Sequence, residues 1–134
     1  MRILLIIALF FNMAFSAVID EYLSSLKQEA LKENPNFKGF DAKRGEEIFT
    51  SKHIGKKGKE ISCTSCHGMD LNKSGENIFT GKSIEPLSPK ANPKRLSDVM
   101  ETEKWLKRNF NDVYNREGTA VEKGDVLTYI ISKD

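Results

Sequence analysis

The run Cys63-Thr64-Ser65-Cys66-His67 constrains this chain more than any other stretch. Two thiols three residues apart lie on one face of a helical turn. From there both can form thioethers with the two vinyl groups of one porphyrin. The next residue, His67, is placed to hold the iron as its proximal ligand. C-x-x-C-H is therefore read as the attachment site of one covalent haem c with its iron. The competing chemistries need other residues. A structural zinc site takes four Cys or His ligands, and an iron–sulfur cluster takes about four thiolates. The chain has two Cys and two His. A disulfide would be strained across so short a turn. A thiol oxidoreductase built on Cys63 and Cys66 belongs in a βαβ pattern, and no run of strands is legible that would build one.

The amino terminus reads Met1-Arg2, then an apolar run from Ile3 to Phe11, then small residues at Ala14, Ser16 and Ala17. A positive start, a short apolar stretch and an Ala-x-Ser pattern predict a secretory signal peptide over residues 1–16. Cleavage is placed after Ser16, with Ala17 as the neighbouring alternative and an uncleaved anchor as the competing reading. The run falls short of the ~20 apolar residues a transmembrane helix needs, so no stable membrane insertion is expected after cleavage. Export places the mature protein in the periplasm. Removing Arg2 from 21 basic residues leaves 20 against 19 acidic ones. That balance argues against nucleic acid or an anionic membrane surface as partner. With both cysteines in the motif, no disulfide staples the fold, and a small domain buries a modest share of its surface. A covalently held macrocycle would supply much of the core.

Three units follow: the signal peptide, an N-terminal helix and linker over 17–40, and a haem-bearing domain over 41–134. Val18 to Glu33 reads as a helix, with Tyr22, Leu23, Leu26, Ala30 and Leu31 inward on a 3.6 period. Asn34-Pro35-Asn36 stops it. Asp41 caps a second helix carrying Ala42, Gly45, Ile48 and Phe49. Gly costs about 1 kcal/mol against Ala in a helix interior. Gly45 therefore implies the close approach of another helix, with Tyr129 packing on Phe49 across it. Residues 55–59 form a basic loop, either solvated or a docking patch for an acidic redox partner. The irregular stretch from Met69 to Pro93 suits a strap over a haem face. His67 is expected to donate its outer ring N–H to a carbonyl there, that of Glu85 or Pro86. Ser97 to about Tyr114 is a helix capped by Ser97 or Asp98. Val99, Leu106, Phe110 and Val113 form its apolar face, with Trp105 beside it. Val121 to about Ser132 is the last helix.

The sixth position of the iron has four candidates. Met100 is the conventional one, since Met/His ligation raises the potential of an electron carrier. It lies near the start of a capped helix, where a methionine usually packs in the core. Met69 is too close to His67 to reach the opposite face. His53 can ligate from the edge of the basic loop, or remain a solvated loop histidine. Asn109 shares a row with Trp105 and Val113, and a buried amide there needs a partner. Lys82 and Arg95 are candidates to pair with the haem propionates.

Gly45 and Phe49, the Cys63–His67 motif and a terminal helix together resemble class I cytochromes c. Closer features are Gly81-Lys82-Ser83-Ile84-Glu85-Pro86-Leu87-Ser88-Pro89, Asn92-Pro93-Lys94-Arg95, Glu103-Lys104-Trp105-Leu106-Lys107-Arg108-Asn109 and Glu122-Lys123-Gly124-Asp125-Val126-Leu127. With these, the chain from Asp41 on looks like the SHP-type cytochromes c, small oxygen-binding haem proteins. The resemblance implies an all-α, class I cytochrome c-like fold wrapped around one haem, with Asn109 as sixth ligand opposite His67. It also implies a haem protein as redox partner, such as a membrane cytochrome b. The family usually carries a disulfide between the residue after that asparagine and the one eight further on. Here those positions are Phe110 and Gly118. An amide oxygen is a weak, hard donor that suits ferric better than ferrous iron. Asn109 is then expected to release on reduction, opening the iron to O2 or NO, with Trp105 and Phe110 excluding water. The alternatives are a plain electron carrier with Met or His as sixth ligand, or a small oxygen, peroxide or NO reductase. The last has no legible distal acid–base pair.

Overall fold

The structure, a computed structural model, describes residues 17–133 in full and the helical backbone back to Arg2. The expected signal peptide, 1–16, lies outside the fully described residues. Helix α1 runs Arg2–Glu33. Its described part buries Ile19, Tyr22, Leu26 and Ala30, the three-and-four spacing of a single stripe. Leu31 was expected on that stripe and is exposed instead. It stands one residue, about 100°, round the helix from Ala30. The helix stops where the Asn34 N–H caps the Ala30 carbonyl at 2.8 Å, just before Pro35.

Helix α2 (Ala42–Thr50) starts at Asp41, whose carboxylate accepts from the Arg44 N–H at 2.8 Å. Its buried residues, Gly45 and Phe49, face α5 (Ala120–Ile131). A Cβ on Gly45 would lie 2.0 Å from the Asp125 carbonyl oxygen and 2.8 Å from the Tyr129 Cβ. The two helix backbones therefore touch there. One turn on, the Phe49 and Tyr129 rings meet at 5.5 Å, as the sequence predicts. Asp125, 1% exposed, fastens the crossing. Its carboxylate accepts from the Asp41 N–H at 2.8 Å and from Arg44 Nε and a terminal guanidinium nitrogen at 2.8 and 3.0 Å. The described part of α1 lies over the same helix α5 and touches α4 (Val99–Tyr114).

Helix α4 (Val99–Tyr114) is capped by Asp98, which accepts from the Glu101 N–H at 3.0 Å. It buries Thr102, Leu106, Phe110 and Val113, leaves Val99 half-buried, and ends on Asn115 in the left-handed conformation. A full capping box, Thr119 with Glu122, opens α5. Arg116 grips the same Glu122 through two bonds of 2.8 and 2.7 Å.

Strands among the described residues are two-residue pins. β1 (His53–Ile54) pairs antiparallel with β2 (Glu60–Ile61), and β3 (Gly75–Glu76) pairs antiparallel with β4 (Ser83–Ile84). Neither is a parallel pair joined by a crossover helix, so the frame is helical, with hairpins confined to its loops. The core joins α1, α2, α4 and α5 with Leu71 of the long strap.

Candidate functional site

The Cys63–His67 motif folds into one short helical turn, α3 (Thr64–His67). The His67 N–H bonds the Cys63 carbonyl at 3.1 Å, and the Gly68 N–H bonds that of Thr64 at 2.8 Å. Ser65 Oγ reaches back to the Ser62 N–H at 3.0 Å, and the Ser62 and Thr64 hydroxyls hydrogen-bond each other. Gly68, at φ +72°, turns the chain away directly after His67. The turn thus holds both thiols and the imidazole on one small, rigid element.

Both cysteines are free and half-buried. Burial pushes the Cys63 thiol up to about 12, so it is no ready thiolate. A redox-active cysteine needs the opposite, a depressed value in an electropositive and accessible place. Burial, seconded by the positive charge of Arg95, lowers the His67 imidazole to about 4. His67 is therefore neutral at physiological pH, as a metal ligand must be. Its ring packs on Phe49 at 6.1 Å and hydrogen-bonds to no described residue. Two unpaired thiols and one neutral, unpartnered imidazole on a single turn fit a covalent haem whose iron the imidazole holds. Among the described residues, no group of three His, Cys, Asp or Glu side chains is placed to hold a bare metal ion.

The strap that follows closes mostly on itself. The Ser88 N–H bonds the Leu71 carbonyl at 2.9 Å, and both residues are buried. Arg95 donates to the carbonyls of Glu85 and Pro86 at 2.8 and 3.1 Å, and the Asn92 amide donates to Pro86 at 3.3 Å. The two carbonyls assigned from the sequence to His67 are thus occupied by Arg95 and Asn92. Arg95 is half-buried, which lowers its pKa, but its guanidinium stays charged and is the cation that acts on His67. Lys82 is exposed in the turn entering β4. In the basic loop, Lys57 Nζ sits 4.2 Å over the Phe79 ring and pins that loop to the strap.

The four sixth-ligand candidates separate. Met100 is 82% exposed, so it is neither in the core nor in an enclosed site. It lines a surface groove with Lys104, Lys107 and Glu117. Met69 is exposed beside His67. His53, read as a solvated loop histidine or ligand, instead stacks on Tyr114 at 4.2 Å with its Nε2 buried and unbonded. Asn109 is half-buried on α4, and its amide hydrogen-bonds to no described residue. One turn earlier, Trp105 is 38% exposed and flanked by Lys104 and Arg108. Phe110, expected to screen the distal side, is buried in the core against Gly118 and Tyr114. The sequence reading missed the Phe49 contact with His67 and the hold of Arg95 on the strap. An aromatic one turn after a helix-contact glycine was the available signal for the first. The second had none, since guanidinium–carbonyl bonds leave no mark in composition.

The family described as a domain of unknown function (DUF1924) matches residues 35–130. The chain is 44% identical over 93 residues to the cytochrome c-type protein SHP of Cereibacter sphaeroides, covering 69% of this chain and 71% of that one. It is 32% identical over 100 residues to cytochrome c'' of Methylophilus methylotrophus, covering 75% and 69%. Among solved structures, oxidised SHP, an oxygen-binding cytochrome c, superposes at a TM-score of 0.74 and 36% identity over 85% of this chain and 96% of that one. Oxidised cytochrome c'' superposes at 0.75 and 28% over 92% and 97%. A solution structure of cytochrome c'', concerned with haem-ligand detachment, superposes at 0.75 and 29% over 85% and 92%.

Proposed function

The chain belongs to the DUF1924 family and is an SHP-type cytochrome c with covalently bound haem c, and from that premise we propose that it is an exported mono-haem protein that carries electrons and takes up small diatomic ligands, O2 or NO, at an iron gated by Asn109. Cys63 and Cys66 would hold the haem, and His67 would hold its iron. When bound, the haem would supply one-electron chemistry and a site for a diatomic molecule.

The observation that carries this reading is the state of Asn109 beside that of Met100. The amide is half-buried with its bonding capacity unspent, whereas the methionine of a conventional carrier points into solvent. Asn109 offers a carbonyl oxygen and an NH2 on one rotatable group. The oxygen favours the ferric state. Rotation of the freed group offers an N–H donor to an entering ligand. The oxygen binding of SHP and the ligand detachment addressed in cytochrome c'' support a sixth ligand that leaves. His67 stays neutral because it is buried beside a cation. Lys82 and Arg95 are proposed partners of the propionates, Arg95 through the guanidinium capacity left beyond its two strap bonds. The apolar leader supports export to the periplasm, where a haem protein such as a membrane cytochrome b would serve as redox partner.

Replacing Asn109 by Ala tests the assignment. The ferric optical spectrum is expected to change from six-coordinate to open or water-ligated, while the ferrous form still captures CO. A ferric spectrum unchanged in Asn109→Ala removes Asn109 as ligand.

A further inference from the structure

The residue next to Asn109 is seated in an unusual way. Phe110 is 5% exposed, and its ring lies flush on Gly118. A Cβ built on Gly118 would come within 2.8 Å of the ring Cδ2 and 2.9 Å of Cε2 and Cγ. Gly118 does not have the positive φ that favours glycine, so its missing side chain answers to the ring and not to the backbone. The surface under the ring is firm. Directly after Gly118, Thr119 and Glu122 close the capping box that opens α5, and Arg116 holds Glu122 from before it. The fastening continues along α4. The Phe110 ring meets Tyr114 at 5.4 Å, the Tyr114 hydroxyl donates to the Ile48 carbonyl at 2.7 Å, and the Asp112 carbonyl accepts from the Lys56 N–H at 3.0 Å. Every one of these contacts is made C-terminal to Asn109.

We infer that Phe110 is a positioning residue for the iron ligand: its ring, seated on Gly118, holds the Asn109 backbone at fixed height, so that release of the amide is a side-chain rotation and not a movement of α4. This rests on Asn109 being the sixth ligand. The sequence resemblance implies a disulfide at these two positions in its family, whereas here the hold is made by packing and contains no reducible bond. A one-residue rotamer change occurs in picoseconds to nanoseconds at exposed sites, whereas helix shifts take microseconds or longer. A stationary backbone therefore keeps the amide ready to return whenever the iron is oxidised.

The test compares haem-loaded Gly118→Ala, Phe110→Leu, Asn109→Ala and the core control Val113→Ala. The readouts are ferric spectrum, reduction midpoint, CO capture rate, far-UV circular dichroism and thermal midpoint. In Gly118→Ala the new methyl displaces the ring. The ratio of amide-ligated to open ferric haem is expected to fall at least tenfold, with α-helix content unchanged. Phe110→Leu, which keeps an apolar group without the flat ring, is expected to fall less, and in the Gly118→Ala background it restores part of the ratio. Val113→Ala lowers the thermal midpoint and leaves spectrum and potential alone. If Gly118→Ala and Phe110→Leu lose thermal stability as Val113→Ala does but keep the parental spectrum and midpoint, the inference fails while the ligand assignment stands. If Asn109→Ala itself leaves the ferric spectrum unchanged, the assignment falls and the inference with it. Should Gly118→Ala not accumulate as holoprotein, Phe110→Leu decides by the same criterion.

Discussion

Gly45→Ala sets two opposed effects against each other at the crossing of α2 and α5. Ala is better than Gly in a helix interior by about 1 kcal/mol, so intrinsic propensity alone predicts a more stable protein. The new methyl, however, would lie 2.0 Å from the Asp125 carbonyl oxygen and 2.6 Å from its carbon. Ordinary contact begins at 3.4 Å, so the helices must part by roughly 1.4 Å. The obstacle is backbone and cannot rotate aside. A radial gap of 0.5–1 Å already forfeits about a quarter to a half of a dispersion contact. The gap would open beneath Phe49 and Tyr129, 2% exposed each. Overpacking of a close-packed core costs about 1–3 kcal/mol and at times more, and a backbone obstacle puts this case at the upper end. The net expectation is a loss of ~2 kcal/mol. For a domain near 100 residues that lowers Tm by roughly 8–16 °C. Thermal and guanidinium unfolding of the haem-loaded protein, followed by circular dichroism, measure it. The Soret region reports a second signature, because Phe49 rests on the His67 ring. A Gly45→Ala protein as stable as the parent, or more so, would refute the direct contact of the two helices.

Asp125→Ala leaves the Asp41 N–H without its acceptor and strips Arg44 of its partner. Removing one member of a buried pair costs about 3–5 kcal/mol. The Arg44 side chain is 49% exposed, so it regains water and the expected loss in denaturant unfolding is about 3 kcal/mol. Glu122 titrates below its ordinary 4.5, chiefly because it accepts from Arg116. Its ionised form is favoured in the folded state, so its contribution is complete above pH 4.5 and is lost as pH falls through the lowered value. Glu122→Gln is expected to flatten the acid limb of stability against pH, and an unchanged limb would exclude Glu122 from it. Tyr114→Phe removes one hydrogen bond to Ile48 and is expected to cost about 1 kcal/mol in equilibrium unfolding. An unaltered stability would show that the ring stack alone fixes the end of α4.

Much of this arrangement is local and was legible for that reason. The Cys63–His67 turn, the caps at Asp41 and Asp98, the stop at Asn34-Pro35 and the contact glycine at Gly45 each follow from residues within a few positions of one another. Tyr129 on Phe49 was legible because helical spacing fixes which residues share a face. Asp125 was not. A charged residue in an apolar helix reads as solvent-facing, and its partner Arg44 is 81 residues away. Met100 and Leu31 show the converse. Their side chains are apolar, but each stands off the stripe its helix buries, and periodicity near a helix end leaves that choice open. The three-residue spacing from Thr119 to Glu122 holds a capping box that starts α5 at Ala120, one residue before the Val121 start expected from the sequence. His53 was read by its neighbours, a basic loop, while its position is decided by Tyr114, 61 residues on.

The strap from Leu71 to Arg95 is closed by its own groups: Ser88 on Leu71, Arg95 and Asn92 on Glu85 and Pro86, Gly75 opposite Ile84. Each doubling of a loop adds only about 0.6 kcal/mol of closure entropy. A segment that latches to itself is therefore the place where evolution can lengthen or shorten the covering of the cofactor cheaply. The helical frame has no such slack where α2 crosses α5, since a methyl on Gly45 would meet the Asp125 carbonyl.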